Sequence, residues 1–381
     1  EQGGFASALD ADTAGHEGLT YVWTPPQLVA ALGADDGAWA AALLEVTADG
    51  TFEDGASTLQ LMRDPDDADR WARVRATLFE VRAKREQPAR DDKVVAAWNG
   101  LAMAALADAA VLFDEPAWLD AAVRAGDLLA RVHAGARPGR EGWLRRVSRD
   151  GTVGAHAGVL EDQGDVAEGF LALYAATGHA RWLHRAGRLL DEVLDHFRAG
   201  DGSFFDTADD AERLLRRPQD PSDNATPSGT SAAAGALLSY AAYTGSSRHR
   251  EAAEQALGVY AELARRYPRF GGWGMAVAEA ALDGPREVAV AGRPGDPGFE
   301  ELLATARRGT APGLVIAWSD PRADADQPVP LLVDRPMRDG RATAYVCRGF
   351  VCDAPTTDAR VLAAAVSARG EQPPTGLALS T

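Results

Sequence analysis

The chain has 381 residues, of which 46% are hydrophobic and 25% are charged, and its formal net charge is −17. This composition is typical of a folded protein with a large core, roughly two to three domains in size, and it excludes wholesale disorder. An acidic chain lacks the field of Lys and Arg residues that attracts phosphate backbones, so we expect no nucleic-acid partner.

Two further classes of protein are not expected from the sequence. No uninterrupted apolar run of about 18 residues occurs, so we expect no membrane-spanning helix and no membrane partner. The chain starts at Glu1, and no basic segment followed by an apolar one is visible after it, so we expect no secretory leader. Two cysteines cannot form a disulfide framework, which is typical of a reducing compartment. We therefore expect a cytoplasmic protein.

A strand and two helices are predicted ahead of residue 90. The segment Tyr21-Val22-Trp23 has the composition of a short strand. The next four residues, Thr24 to Gln27, have the pattern of a capping box with proline in the first turn, which predicts the start of a helix. Asp66 or Asp67 is a suitable N-cap for a second helix that ends before Pro88.

An internal repeat with a period of about 65 residues dominates the middle of the chain. Each of three units has a polar or Gly-containing loop, an Ala-rich helix poor in charge, a short turn and a second, more charged helix. An inner ring of apolar helices covered by an outer ring is the pattern of an α/α toroid. We predict inner helices near residues 98–113, 162–176 and 229–244, and outer helices near 117–133, 180–198 and 247–267.

The pattern changes downstream of the third unit. Val288–Ala291 and Leu314–Ala317 are short apolar runs on either side of a helical stretch at Phe299–Arg307, which predicts two parallel strands of one βαβ unit. Leu331–Val333 and Ala344–Cys347 are predicted to add strands. Asp358 is expected to cap a last short helix.

The fold class that these patterns predict is mainly α: an (α/α) toroid, incomplete at its N-terminal side, with a small C-terminal α/β appendage. We expect three segments, with the partial toroid at 1–285, the appendage at 286–357, and a short helix and frayed tail at 358–381. An incomplete toroid should leave apolar helix faces exposed, so we expect the isolated chain to be marginally stable or to depend on a partner.

Three polar loops lead into the inner helices, and we call them the mouth loops (residues 91–99, 161–165 and 216–228). Because helix N-termini concentrate partial positive charge, such loops are candidate ligand sites. Carboxyl pairs beside aromatic rings suit sugar chemistry, with one carboxyl as acid and another as base or nucleophile. The catalytic candidates are Asp92, Asp162 and Asp220. The substrate-binding candidates are Trp98, Asn99, Glu161, Arg216, Arg217, Asn224 and Ser228.

The alternative for these residues is helix capping and solvated charge, for which Asp162 and Ser228 are well suited. We also predict that Arg216 or Arg217 reaches a carboxylate among Asp91, Asp92, Glu161, Asp162 and Asp220. The seven histidines do not repeat in register, which disfavours an epimerase that uses a histidine pair. We expect no metal site and no cofactor.

Cys347 and Cys352 are the two cysteines of the chain. A CxxxxC pair without further Cys or nearby His falls short of a zinc site. On an extended strand the pair would span roughly 17 Å, too far for a disulfide unless the chain folds back. We predict two reduced thiols, with Cys347 on a strand, and a bonded pair would reopen a redox function.

Several long strings resemble one known family. RDDKVVAAWNGLAMAALA, LEDQGDVAEGFLALY, RRPQDPSDNATPSGTSAAAGALL and ATAYVCRGFVC, in this order, are similar to the thioredoxin domain-containing, spermatogenesis-associated proteins. The resemblance implies a toroid of the six-hairpin glycosidase type preceded by a thioredoxin-like domain. It also implies that the chain begins inside the toroid and that the thioredoxin-like domain, absent here, is a partner.

Two functions remain open at this point. The first is a carbohydrate-acting, hydrolase-like enzyme that uses the mouth carboxylates and Trp98 as a sugar platform. The second is a non-catalytic module that binds a small-molecule ligand or client for the thioredoxin-like domain. Mouth carboxyls about 5 to 9.5 Å apart around an open cleft favour the first function, and carboxylates bound in caps or arginine pairs favour the second.

Overall fold

The computed structural model describes residues 2–134, 140, 142–318 and 328–368. The chain divides into two compact units, a smaller one formed by residues 6–92 and a larger one formed by residues 1–5 and 93–381. The C-terminal strands and helices fall within the larger unit. Residues 369–381, which include the expected frayed tail, lie outside the described residues.

The smaller unit contains three helices and four two-residue strands. In chain order these are β1 (Ala8–Leu9), β2 (Asp12–Thr13), β3 (His16–Glu17), α1 (Pro25–Leu32), α2 (Ala34–Leu43), α3 (Ala68–Ala83) and β4 (Arg90–Asp91). The predicted capping box is present at α1, because Gln27 N donates to Thr24 Oγ1 and Thr24 N donates to Gln27 Oε1. Asp67 caps α3 as predicted.

The prediction of a strand at Tyr21-Val22-Trp23 was wrong, because only Trp23 pairs, in an isolated bridge with Ser57. Trp23 is buried in the core of the smaller unit. The guanidinium of Arg85 lies 3.9 Å from the Trp23 ring centre and donates to the carbonyl oxygens of Thr20 and Val22. An arginine side chain, rather than a neighbouring strand, therefore satisfies this part of the backbone.

The larger unit is dominated by helices in αα-hairpins. Its helical part comprises β5 (Val94–Val95), α4 (Ala96–Phe113), α5 (Pro116–Leu128), β6 (Val147–Arg149), β7 (Thr152–Val153), α6 (Leu160–Thr177), α7 (Ala180–His196), α8 (Gly229–Thr244), α9 (Ser247–Leu257), α10 (Tyr260–Arg266) and α11 (Gly272–Asp283). Helices α4, α6, α8 and α11 contact one another in succession, while α5, α7 and α9 each pack from outside on two neighbouring helices of this series. The predicted mainly α fold, with inner and outer helices of an α/α toroid, is confirmed.

The inner helices start at the same end of the arc, as predicted. The Asp162 carboxylate near the start of α6 accepts a hydrogen bond from Ala97 N at the start of α4. A Cβ added at Gly229, the first residue of α8, would lie 2.9 Å from Glu161 N. The Asp223 carboxylate joins the starts of α8 and α11, because it accepts from Ser228 N and Trp273 N. The starts of these inner helices therefore lie at one end of this unit.

Close contact between inner helices depends on glycine at the crossings. An alanine Cβ at Gly100 of α4 would lie 2.4 Å from Asp165 O of α6, and one at Gly164 of α6 would lie 2.6 Å from Ala233 N of α8. Both neighbours are backbone atoms, which cannot rotate away. The three helix axes therefore approach more closely than a methyl group allows.

We expect Gly164→Ala to lower the free energy of unfolding by about 1–3 kcal/mol, because the overpacking outweighs the better helix propensity of alanine. Gly298→Ala is the matched control, since a Cβ added at that helical glycine would lie 4.0 Å from its nearest neighbour, Ala342 Cβ. Urea denaturation of both variants tests this. An unchanged Gly164→Ala midpoint would show that α6 and α8 are not in close contact.

Helix α4 is the one helix in the described ranges that is long and apolar enough to cross a membrane by length and composition. Helix α4 meets that criterion because its single Asn and single Asp lower its mean hydropathy only slightly, and the expectation of no membrane-spanning helix stays a prediction. In this structure α4 packs against α5 and α6, with Ala96, Met103 and Ala107 fully buried. Its apolar character is that of an inner helix.

The remaining elements form a small sheet with helices. They are β8 (Glu287–Ala291), α12 (Pro297–Arg307), β9 (Val315–Ala317), β10 (Thr343–Arg348), β11 (Val351–Cys352) and α13 (Ala359–Ala365). The strand order is β11-β10-β8-β9, and β8 and β9 are parallel, as predicted for a βαβ unit. The strand predicted at Leu331–Val333 is instead a 3₁₀ turn at Pro330–Leu332. Asp358 caps α13 as predicted.

The prediction of two reduced cysteines was wrong. Cys347 lies on β10 as expected, but β11 returns antiparallel to it and places Cys352 directly opposite. The two Cα atoms are 3.8 Å apart and the sulfurs are bonded. The chain reverses at Gly349 and Phe350, both in the left-handed region with φ of +55° and +66°. The extended span assumed for the pair is therefore absent.

Candidate active site

Asp162 is fully buried at the start of α6. Its Oδ1 accepts from Ala97 N at 3.0 Å, and its Oδ2 accepts from Val159 N at 2.9 Å and from Arg146 Nη1 at 3.0 Å. Burial raises the pKa of Asp162 to about 6, against the opposing effects of Arg146 and the two N–H donors. Both carboxylate oxygens accept hydrogen bonds from backbone N–H groups at the starts of α4 and α6, so Asp162 acts as a helix cap that joins the two helices.

The other two catalytic candidates are not part of that cluster. Asp92 belongs to the smaller unit, where Arg90 Nε binds its Oδ1 at 2.5 Å. Asp220 is exposed in the third mouth loop, where its Oδ1 accepts from Ser222 N. The backbone N of Asp220 donates to Asp206 Oδ2. The pKa of Asp206 is raised by burial and, in addition, by the negative charges of Asp220 and Glu161. Asp220 and Glu161 thus approach the same third carboxyl.

The substrate-binding candidates have different environments. Asn99 is buried and its side chain bonds to the backbone of Phe5 and Val95. Ser228 is buried and caps α8. Trp98 is 42% exposed in the first turn of α4, and Asn224 is also exposed. Of these four, only the two exposed side chains are accessible to a ligand.

The prediction that Arg216 or Arg217 binds a mouth carboxylate was wrong. The Arg217 guanidinium donates to the carbonyl oxygens of His196 and Thr207 and lies over the Phe205 ring. Arg216 is exposed and has no ion pair among the described residues. Arg146, on the strand side of the second mouth loop, instead binds Asp162 and lies 3.7 Å from Glu161.

The structure shows an acidic stripe on α6, of which only Glu161 was predicted from the sequence as a site residue. Glu161, Asp165 and Glu168 follow each other at helical i, i+4 and i+7 spacing, so they share one face. Asp165 is 1% exposed, and its Oδ2 has no hydrogen-bond partner. Burial, followed by the charges of Glu161 and Asp162, raises the pKa of Asp165 to about 9. The Asp165 carboxyl is therefore protonated at neutral pH.

Glu168 lies further along the same face and is half-buried. Burial raises its pKa to about 7, and the charge of Asp108 on α4 adds to the effect. Glu168 lines a cavity of about 220 Å³ between α6, α8 and α11. The other side chains and backbone positions around this cavity are largely apolar: Gly235, Leu238, Ser239, Trp273, Ala276, Val277, Ala280, Pro285 and Gly313.

An exposed ring accompanies this carboxyl. Trp273, in the first turn of α11, is 42% exposed and lines the same cavity as Glu168. Gly235 keeps the cavity open, because an added Cβ there would lie 3.2 Å from Val277 Cγ2 and 3.7 Å from Trp273 Nε1. The inner face thus combines a carboxyl group that is partly protonated at neutral pH with an exposed tryptophan ring.

One group of described residues has the donor set of a metal site. Ligand atoms of His196, Asp209 and Asp210 lie within 4.8 Å of one another. His196 Nδ1 is 2.8 Å from Asp209 Oδ1, and Arg140 forms an ion pair with Asp210. Because these groups already bind one another or an arginine, the cluster is explained without an ion.

Several known proteins are similar to this chain, although no protein-family model matches it. Human spermatogenesis-associated protein 20 is 28% identical over 292 residues, which cover 74% of this chain and 37% of the human protein. The mouse protein of the same name shows the same identity and coverage, and an uncharacterised protein of Caenorhabditis elegans is 27% identical over 292 residues. The chain therefore has homologues named spermatogenesis-associated protein 20 and spans about 37% of their length.

Two solved structures are also similar. Cellobiose 2-epimerase from Spirochaeta thermophila is 19% identical, with 48% of this chain and 45% of that chain covered and a TM-score of 0.39. Cellobiose 2-epimerase from Bacillus thermoamylovorans is 11% identical, with 81% and 74% covered and a TM-score of 0.32.

Proposed function

We propose that this chain is a carbohydrate-acting enzyme of the hydrolase type, with its site on the inner face of the helical arc and Glu168 as general acid. The observation that supports this most is the Glu168 carboxyl, whose pKa is about 7 and which lines a cavity beside an exposed tryptophan. A carboxyl that is still partly protonated at neutral pH can donate a proton to the oxygen of a leaving group.

Asp108 is the proposed second carboxyl. Its charge raises the pKa of Glu168, so the two carboxyls approach each other from neighbouring inner helices. Asp108 is exposed, whereas Glu168 is half-buried. Water can therefore solvate a charged Asp108, which is proposed as the base or nucleophile, with Glu168 as the acid. This pair takes the roles first given to Asp92, Asp162 and Asp220.

Carbohydrate is the proposed substrate class because the Trp273 ring lines the same cavity as Glu168, the proposed acid. The flat, apolar face of a sugar ring stacks on tryptophan, and Trp273 presents such a surface at the cavity. Among the described residues that line the cavity there is no histidine, so the Glu168 carboxyl is the proposed proton donor.

We expect Glu168→Gln to lower kcat/KM by about 10²–10⁴-fold on a responsive substrate, because it removes the transferable proton and keeps the shape. The substrates are a panel of aryl glycosides and disaccharides, and Glu279→Gln on the exposed face of α11 is the control. In the wild type kcat should fall as the pH rises through about 7. A Glu168→Gln variant with unchanged turnover would contradict the proposal.

A second candidate function has a separate observation in its favour. Asp162 is held by two backbone N–H groups and Arg146, as expected when mouth carboxylates serve caps and not catalysis. The same inner face would then be a binding module that presents a ligand to a thioredoxin-like domain of a longer protein. Ligand binding with no turnover of any glycoside would favour this function.

A further inference from the structure

The β10–β11 hairpin presents its disulfide asymmetrically. Cys347 is 1% exposed, whereas Cys352 is exposed. A cavity of about 380 Å³ opens at Cys352 and is lined by charged residues of both signs, with Arg335 and Arg338 against Asp334 and Asp353. An external thiol can therefore reach one sulfur of the pair and not the other.

A guanidinium group is directed at the exposed sulfur. Arg335 Nε and Nη2 lie 3.4 Å and 3.3 Å from Cys352 Sγ. A disulfide sulfur is a weak acceptor, but a thiolate at the same place would be a strong one. The geometry thus favours the reduced, ionised form of Cys352 as well as the bonded form.

The turn that holds the two sulfurs together is fixed from outside the hairpin. Glu287 of β8 accepts hydrogen bonds from Gly349 N at 3.0 Å and Phe350 N at 2.6 Å. The carboxylate of Glu287 is fully buried and lies 3.5 Å from Arg250 Nη2. The turn therefore does not depend on the S–S bond, and the two cysteines should stay opposite each other after reduction.

We infer that Cys347 and Cys352 form a redox-active disulfide that exchanges with an external dithiol at the Cys352 sulfur, with Arg335 as the positioning residue for the Cys352 thiolate. This site is separate from the proposed carbohydrate site, and neither inference depends on the other.

The thiol–disulfide exchange proceeds in two steps. A thiolate of the dithiol bonds to Cys352 Sγ, the S–S bond breaks, and its electron pair leaves on Cys347 Sγ, which takes a proton from solvent. The second thiolate of the dithiol then attacks the first sulfur and expels Cys352 as a thiolate beside Arg335. The dithiol loses two electrons and becomes a disulfide, and the protein disulfide gains two electrons.

The first test is reduction of the native chain by millimolar dithiothreitol, with thiols counted by a chromogenic reagent and helicity followed by circular dichroism. We expect two thiols to appear with unchanged helicity, and the disulfide to return when the reductant is replaced by its oxidised form. Glutathione at equal thiol concentration should leave no stable adduct, because Cys347 expels it. Reduction only after unfolding in urea, or a persistent glutathione adduct, would overturn the inference.

The second test is the pH dependence of alkylation of reduced Cys352. With Arg335→Gln we expect about tenfold slower alkylation at neutral pH and a profile displaced upward, because the thiolate loses its cationic partner. Arg335→Lys should restore part of the rate, and Arg341→Gln, an exposed position on the same segment, should leave it unchanged. Equal rates in the Gln, Lys and wild-type proteins would overturn the role of Arg335.

Discussion

Replacing Asp223 with alanine is expected to lower the free energy of unfolding by about 3–5 kcal/mol. The Asp223 carboxylate is buried and accepts from four donors at the starts of two inner helices. The donors are Ser228 N at 2.9 Å, Ser231 Oγ at 2.5 Å, Trp273 N at 2.9 Å and Gly274 N at 3.1 Å. Alanine leaves these donors without their shared acceptor.

Chemical denaturation measures this effect, with Asp220→Ala as the control. Asp220 is three residues away and exposed, and the expected change there is within about 0.5 kcal/mol. Asp223→Asn keeps one acceptor oxygen and should lie between the two. A loss of less than about 1 kcal/mol for Asp223→Ala would show that α8 and α11 are not joined by this carboxylate.

Asp165→Asn is expected to stabilise the protein at neutral pH by about 1–3 kcal/mol. The pKa of Asp165 is about 9 in the folded chain and 3.8 in the unfolded one. The unfolded chain therefore loses this proton first, and the stability that the neutral carboxyl contributes is complete below pH 3.8 and is lost progressively as the pH rises to about 9. Between pH 3.8 and pH 7 the wild type loses about 4 kcal/mol of stability in this way, at 1.36 kcal/mol per pH unit. Asn avoids this loss, but its own unpaired amide offsets part of the gain.

The measurement is the difference in melting temperature between Asp165→Asn and wild type across pH 5 to 9. We expect a difference that grows with pH, and none for Asp220→Asn. A difference that is independent of pH, or a variant less stable than wild type at pH 8, would contradict the burial of a protonated Asp165. A buried acid that lowers stability is typical of a functional face.

The helices of the arc were predictable because their signal is local. The inner helix predicted near 162–176 is Leu160–Thr177, and the one near 229–244 is Gly229–Thr244. Alanine-rich periodicity, a turn and a charged second helix recur within each unit, and no long-range contact is needed to recognise them. The third outer helix was less predictable, because it is divided at Gly258 into α9 and α10.

The candidate site was less predictable because it depends on burial. Asp162 was recognised from its position at a helix start, which is also the position of a cap. No local feature of the sequence distinguishes Glu168, since a glutamate in the middle of a helix is usually solvated. Its pKa is raised only because α6 packs between α4 and α8. The spacing of Glu161, Asp165 and Glu168 was the one signal present in the sequence.

The disulfide was missed for a similar reason. The estimate of the span between Cys347 and Cys352 assumed a continuous strand, and the glycine between them was the sign of a reversal. Gly349 adopts a positive φ and Phe350 follows it in the same region, which a two-residue hairpin turn requires. Glu287, 62 residues upstream of Gly349, stabilises that turn and could not be assigned to it from the sequence.

Binding of oligosaccharides by isothermal titration calorimetry tests the carbohydrate site most directly, because it does not depend on turnover. The proteins to compare are wild type, Glu168→Gln and Trp273→Ala. The control is Trp118→Ala, because Trp118 lies on outer helix α5 and is 40% exposed, close to the 42% of Trp273. We predict that an oligosaccharide that binds the wild type also binds Glu168→Gln and Trp118→Ala, and that Trp273→Ala loses most of the affinity. Binding that is unaffected by Trp273→Ala, or no binding by any member of a broad oligosaccharide panel, would contradict the carbohydrate site on the inner face.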